Sequence, residues 1–423
     1  MIKETLKRQK KEAEALLAGP YIERDQAKEA KKFIDSDLIK VVAGPRRAGK
    51  SLFSLHLLKD RAPGYVNFDD ETLIRLKNYD DIIGGLHAVY GDKKYLLFDE
   101  IQNLPDWELF VNRLQRQGYN ITLTGSNAKL LSGELATSLT GRHIPIEIFP
   151  FSFSEFLSAR GFRGGNGAPD KTEARILDLM GEFLINGGFP EIVVKGMAPK
   201  GYLDTLLDSL ILKDVVKRYK VRLAGKIYDL HTYLLNNFAS EASFRRLAAK
   251  LGFNSVTTLE KYFFYLEEAY LICVLRRYSG KAAERLGSPI KIYLVDNGYI
   301  AAGAIQLSPD SGRLMENMVF TELLKKGYKP DLDLFYYRTR NNREVDFLIR
   351  RGTKAEELIQ AAYHTGGPDT REREIKALVE AGEELKCGKL TVLTWNREEK
   401  HSARGVEINF VPVWKWLISA GGL

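Results

Sequence analysis

The segment Gly44–Ser51, GPRRAGKS, limits what this chain can fold into more than any other stretch. It matches G-x-x-x-x-G-K-[ST] in full, directly after the apolar run IKVVA and directly before SLFSLHLLK. Glycines at Gly44 and Gly49 let the backbone through Pro45, Arg46, Arg47 and Ala48 turn its N–H groups inward, a cradle for phosphate oxygens at a helix N-terminus. Lys50 is then placed to neutralise the β- and γ-phosphates of ATP, and the Ser51 hydroxyl to ligate Mg²⁺. A chance glycine turn is the competing explanation, and the strand-before, helix-after context speaks against it.

The surrounding pattern fits. From Ile39 to about Phe149, short apolar runs (IKVVA, YVNF, YLLF, ITLT, IPIEIF) alternate with longer helical stretches, which predicts an α/β fold with a parallel sheet covered by helices on both faces. In such sheets ligands bind at the carboxyl ends of the strands. YLLF runs straight into Asp99 and Glu100. Asp99 is expected to hold the Mg²⁺ shell and Glu100 to polarise the attacking water as general base. At the same end, Ser126 or Asn127 either senses the γ-phosphate or caps the helix that follows. Asn67 and Asp69 close the second strand nearby.

At 423 residues, with 44% hydrophobic and 28% charged side chains, the chain exceeds one hydrophobic core and has the composition of a soluble globular protein. No apolar run is long enough to span a bilayer, and the charged, helical N-terminus has no signal-peptide core. Cys273 and Cys387 form neither a disulfide framework nor a zinc site and read as small buried hydrophobes. A cytoplasmic location follows. The net charge of +8 permits a polyanionic partner without demanding one.

The middle of the chain is helical. The glycine-rich Arg160–Thr172 reads as a flexible loop, and periodicity then runs from Lys171 to about Ile272. SEASFRRLAAKLGFNSVTTLEKYFFYLEEAYLICVLRRY has the outline of a helix-turn-helix followed by a hairpin, as in winged-helix domains, whose second helix enters the major groove when DNA is bound. Asn254 or Ser255 is the expected cap, with Leu259, Phe263 and Leu266 on the packed face. Glu260, Glu267 and Glu268 are expected on the exposed face, where they repel phosphate. Arg245, Arg246, Lys250, Lys261, Arg276 and Arg277 offset them. The basic run Leu210–Arg222 is either a solvated face or a phosphate-backbone contact.

The succession GPRRAGKS, LLFDEIQ, TGSNA, LTGRHIPIEIFPFSFSEF and NGGFPE resembles that of archaeal and bacterial AAA+ ATPases whose C-terminal half is similar to restriction endonucleases. The resemblance implies four parts: a nucleotide-binding core at 1–150, a helical lid at 151–200, a winged-helix-like domain at 201–285 and an α/β nuclease-like domain at 286–423. It places Arg142 where an arginine reaches a neighbouring subunit's nucleotide, and so implies a homo-oligomer, a hexameric ring by analogy. A surface arginine at a strand start is the alternative. In the nuclease fold, a helix glutamate, a strand aspartate and an acid-x-lysine triplet gather around Mg²⁺. Glu316 and Asp346 match the first two. Gln360 stands for the acid and Ala362 for the lysine, so a degenerate site is expected, with His364 as a conceivable substitute and Arg338, Arg340, Arg343, Arg350 and Arg351 as a basic surface. The expectation is an oligomeric Mg²⁺-dependent ATPase acting on DNA. A nucleotide-gated switch for protein partners and an ATP-regulated nuclease are its rivals.

Overall fold

Five strands of the N-terminal half, β1 (Ile39–Ala43), β2 (Gly64–Asn67), β3 (Tyr95–Asp99), β4 (Asn120–Gly125) and β5 (His143–Glu147), pair in the order β2-β3-β4-β1-β5, all parallel. Every residue of β1 and β4 is buried, which requires cover on both faces, and the polar residues these strands carry (Lys40, Asn120, Thr122, Thr124) are buried with the apolar ones. The computed structural model describes residues 1–131, 139, 141–162, 169–303, 310–363 and 368–419. The chain divides into two units, Met1–Pro150 and Phe151–Leu423.

In the first unit β1 lies between β4 and β5, with Ala43 opposite both Gly125 and Glu147. The loop leaving β1 therefore opens between the ends of two neighbours, where a parallel sheet leaves a crevice. The charged lead-in is the helix Ile2–Ala18, and it has a buried face carrying Leu6, Gln9 and Ala13. Gln9 donates to the carbonyl of Asn67 (2.8 Å) and accepts from its N–H (3.0 Å). One side-chain amide thus imitates a neighbouring strand along part of the edge strand β2, occupying groups that would otherwise invite another chain.

The second unit opens with a capping box, Ser152 and Glu155 satisfying each other's backbone at the start of helix Phe153–Ala159. The next helix begins at Pro169, so the glycine-rich loop is shorter than expected; residues 163–168 of it lie outside those described. NGGFP (Asn186–Pro190) turns against Asp296. A Cβ on Gly187 would meet the Asp296 carboxylate at 1.7 Å, and one on Gly188 the Phe151 carbonyl at 2.4 Å. Close approach, and at Gly187 a φ of 71°, require glycine here.

Helices Phe244–Lys250 and Val256–Glu268 lie in the chain between the first two strands of a three-stranded antiparallel sheet, β6 (Ser240–Ala242), β7 (Ile272–Arg276) and β8 (Ile290–Leu294), order β6-β8-β7. A six-stranded mixed sheet follows. It comprises β9 (Leu334–Arg338), β10 (Glu344–Arg351), β11 (Lys354–Ala362), β12 (Leu390–Thr394), β13 (Glu399–Ala403) and β14 (Val406–Pro412), order β13-β14-β12-β11-β10-β9. Helices Ser311–Lys325 and Pro368–Leu385 pack on it. Among the described residues no helix is long and apolar enough to cross a membrane.

The structure corrects two expectations for this unit and gives the basic run its conformation. Leu259, Phe263 and Leu266 are buried as expected, but Glu268 is buried too and Glu267 half-buried, leaving Glu260 as the exposed acid of that trio. Glu267, at the end of its helix, bends back to accept from the Val274 N–H of β7 (3.0 Å). The stretch Leu210–Lys217 is a π-helix, with Arg218 drawn onto Asp214 (2.7 Å) while Lys213, Lys217, Lys220 and Arg222 stay exposed. Cys273 is half-exposed while Cys387 is buried.

Burial raises the Glu267 carboxyl to about 7, against the opposing Val274 N–H and the Arg276 charge. A raised carboxyl favours the fold fully below its ordinary value of 4.5 and loses that contribution as pH climbs through about 7. Glu267→Gln keeps the acceptor for Val274. It is expected to unfold like the wild type at about pH 4 and to be more stable by roughly 2–3 kcal/mol at about pH 8, in denaturant melts at the two pH values. An equal gap at both would remove the titration of Glu267 as the cause.

Candidate nucleotide site and a carboxylate cluster

Gly44 leaves β1 with φ 150°, and a Cβ there would lie 1.9 Å from the Ile148 carbonyl oxygen. Arg47 and Gly49 both take positive φ (66° and 91°), the alternation that turns peptide N–H groups into a concave nest. Helix Lys50–Leu58 starts immediately after, adding its N-terminal partial charge to the same spot. Lys50 is buried and donates to the Pro45 carbonyl (2.9 Å), so its ammonium folds back over its own loop. Arg24, also buried, donates to the carbonyls of Ala48 (2.9 Å) and Phe149. It pins the loop to the chain leaving β5.

Asp99 stands at the carboxyl end of β3, fully enclosed. Its carboxylate accepts from Ser51 Oγ (2.9 Å), the Tyr65 hydroxyl (2.9 Å) and Thr124 Oγ1. Burial, then the neighbouring Glu100 charge, pushes the Asp99 carboxyl up, and these hydroxyls pull it back. A hydroxyl and a carboxylate converging on one point are hard oxygen donors, the chemistry Mg²⁺ selects. Glu100 occupies the left-handed region (φ 51°, ψ 44°), a strained place for a non-glycine residue. Its N–H is held there by Thr124 Oγ1 (3.1 Å). Its carboxylate accepts from Ser126 Oγ (3.1 Å) and Gln102. Burial alone would raise Glu100, yet the Lys50 ammonium, Gln102, the Arg46 charge and Ser126 bring it net below the ordinary value. Adjacent carboxyls are thus driven in opposite directions, Asp99 upward and Glu100 downward.

Within the second unit, Lys291 of β8 is almost wholly buried among three carboxylates. Its Nζ lies 2.7 Å from Glu316 Oε1, 2.6 Å from Glu344 Oε1 and 3.1 Å from Asp346 Oδ1. Tyr293 also donates to Glu316 (2.6 Å), and Arg338 to Glu344 (2.8 Å) and Glu241 (2.7 and 2.8 Å). Asp346 is fixed by the Ala361 N–H (3.0 Å), while its own N–H donates to Gln360 Oε1 (3.3 Å). Burial, followed by the Asp346 charge, lifts Glu316 to about 7.

Residues 36–157 match the family described as AAA domain, 177–311 a domain of unknown function (DUF8612) and 311–416 another (DUF4143). An uncharacterized protein of Methanocaldococcus jannaschii is 38% identical over 398 residues, covering 90% of this chain and 88% of its own. An uncharacterized protein of Haemophilus influenzae is 30% identical over 405 residues, covering 90% and 95%. The chain belongs to one family with these two proteins. Among solved structures, the Walker-type ATPase of Pyrococcus abyssi is similar at 17% identity and a TM-score of 0.45, over 66% of this chain and 95% of that one. AMPPCP-bound DnaA of Aquifex aeolicus is similar at 18% and 0.26, over 58% and 86%.

The AAA-domain match falls on this P-loop α/β sheet, and Gly44–Ser51, Asp99, Glu100 and Ser126 share one end of it. Asn127 is buried beside Ser126, and its carbonyl accepts from the Leu130 N–H (3.1 Å) in the turn Ala128–Leu131. Arg142 is exposed and precedes β5, at the amino end of strands whose carboxyl ends carry the loop. A strand of this length spans roughly 16 Å, so Arg142 does not join the site of its own chain. Asn67 binds Gln9 and the Asp69 N–H (2.8 Å). His364 lies outside the described residues. The C-terminal basic surface is thinner than expected: Arg338 is taken by Glu241 and Glu344 and Arg343 by Glu380, leaving Arg340 and Arg351 exposed. Sequence reasoning missed Arg24, Tyr65, Thr124 and above all Lys291. The missed signal for Lys291 was a lone lysine inside the apolar strand IKIYLVD.

The 1.9 Å approach at Gly44 contrasts with Gly118, whose φ is also positive (91°) but whose Cβ would meet open space. Gly44→Ala is expected to lose at least about 2 kcal/mol more stability than Gly118→Ala in parallel denaturant melts. Equal losses would mean the loop yields at no cost.

Proposed function

We propose that this chain is a Mg²⁺-dependent ATPase of the AAA+ class that works on DNA as a homo-oligomer. The observation that carries the ATPase reading is the pairing of Ser51 with Asp99 beside an ionised Glu100 that faces the Lys50 charge. Ser51 and Asp99 would hold Mg²⁺, which neutralises phosphate charge when bound. Gly44 to Ser51 orient the phosphates, Glu100 takes a proton from the attacking water, and Ser126, hydrogen-bonded to Glu100, relates that base to the γ-phosphate. Arg142 serves the nucleotide of a neighbouring subunit, a role supported by its exposure and its distance from its own loop.

Residues 1–150 are read as the nucleotide core, 151–200 as a lid, 201–285 as a winged-helix-like DNA contact and 286–423 as a degenerate nuclease-like domain built around Glu316, Asp346 and Gln360. Arg245, Arg246, Lys250 and Lys261 are exposed near the helix pair, and the withdrawal of Glu267 and Glu268 from the surface favours phosphate there. A nucleotide-gated switch is the second reading, favoured by the hydrogen bonds that tether Glu100 to Gln102 and Ser126.

Lys50→Ala is expected to abolish nucleotide binding in a fluorescent-nucleotide titration, whereas Glu100→Gln binds normally and turns over about 10²-fold or more slowly. Normal turnover in Glu100→Gln would remove the base assignment. ATPase rates measured with duplex, forked and junction DNA are expected to rise with DNA, to fall with added salt, and to lose the stimulation in Arg245→Ala/Arg246→Ala. Rates indifferent to every DNA would leave the switch reading standing. Mixing Arg142→Ala with Lys50→Ala subunits should restore part of the turnover if the arginine works in trans.

A further inference from the structure

We infer that the Lys291 ammonium takes the place of a divalent cation in the C-terminal domain, so that this nuclease-like centre is metal-independent and performs no metal-assisted phosphodiester cleavage. The inference rests on the cluster itself and stands apart from the ATPase reading.

An ammonium has three N–H donors and accepts nothing. Three carboxylate oxygens, from Glu316, Glu344 and Asp346, lie 2.6–3.1 Å from Lys291 Nζ, enough to engage all three. A divalent cation bridging these carboxylates would draw on the same oxygens at roughly 2.0–2.6 Å and would collide, electrostatically and sterically, with Nζ. The remaining expected ligand is also engaged, since Gln360 Oε1 accepts from the Asp346 N–H (3.3 Å). Among the described residues no group of three or more metal-ligating side chains is disposed to hold an ion. The metal that the fold resemblance implies therefore does not fit the residues present.

The replacement has a structural logic. Three carboxylates gathered with so little solvent repel one another, and something cationic must hold them. A bound metal does so reversibly; a lysine rooted in β8 does so permanently. Because β8 belongs to the three-stranded sheet, Glu316 to helix Ser311–Lys325 and Glu344 and Asp346 to β10, the same ammonium fastens three elements around one point.

The test is Mn²⁺ binding to the full, nucleotide-free chain, followed by electron paramagnetic resonance. In the wild type, Asp346→Asn is expected to leave Mn²⁺ binding unchanged, and Mn²⁺ to leave the melting temperature where EDTA leaves it. Lys291→Ala frees the three carboxylates and is expected to bind Mn²⁺ at least about tenfold more tightly than the wild type, a gain lost again when Asp346→Asn is added. Should Lys291→Ala not fold, Lys291→Met combined with Glu316→Gln keeps the buried charge balanced, and the wild-type measurements decide alone. Mn²⁺ binding by the wild type that Asp346→Asn abolishes, Mn²⁺-dependent DNA cleavage with the same dependence, or a folded Lys291→Ala that gains no Mn²⁺ would each overturn the proposal.

Discussion

Asp99 is the interaction on which the nucleotide end of the first unit depends. Its carboxylate ties Ser51 of the loop helix, Tyr65 of β2 and Thr124 of β4 to β3. A carboxylate that deep would be prohibitively costly alone. Three hydroxyl donors make it tolerable, and in doing so they fix the relative height of three strands and the first turn of the helix. Thr124 then performs a second task, accepting from the Glu100 N–H and so holding that residue in a left-handed backbone. Removing the buried charge would loosen Thr124 and with it the position of Glu100 next to it.

Two buried lysines show how one sequence context yields opposite electrostatics. Lys40 in IKVVA and Lys291 in IKIYL both follow isoleucine in a wholly buried strand. Lys40 meets neutral acceptors, the Asn120 amide and the carbonyls of Ile34 (3.3 Å) and Ser36 (3.1 Å), and burial brings it down to about 8. Lys291 suffers the same desolvation, but the surrounding carboxylates reverse it and hold the ammonium well above its ordinary value. Carbonyl dipoles compensate a buried charge partly; full negative charges compensate it several times over. The local residue pattern is silent on which of the two a lysine will meet.

That contrast marks where the sequence was legible. The five parallel strands, the loop at Gly44–Ser51 and the acids after β3 follow from apolar runs and glycine spacing, which are local. β13 (EKHSA), a polar strand at the sheet edge paired to β14, leaves little trace in hydrophobicity. Arg24 and Lys291 acquire their roles from partners 125 and 55 residues away in the chain, and no spacing rule reaches that far. The expected triplet has alanine at Ala362 where a lysine would stand, while β8 delivers Lys291 to Glu316, Glu344 and Asp346 from another sheet.

Charge placement, more than the net +8, separates the two candidate DNA surfaces of the second unit. In the C-terminal sheet the arginines are largely spent: Arg338 and Arg343 answer Glu241, Glu344 and Glu380, and Arg350 lies over the rings of Tyr278 and Phe335. Around the helix pair the balance runs the other way. Two of the three acids withdraw, one onto the Val274 N–H, while Arg245, Arg246, Lys250 and Lys261 remain at the surface. Phosphate contact depends on cations free to release their counterions, so the proposed DNA contact belongs to the helical middle. The C-terminal cluster, its own charges matched internally by Lys291 and Arg338, is left with the work of a fastening.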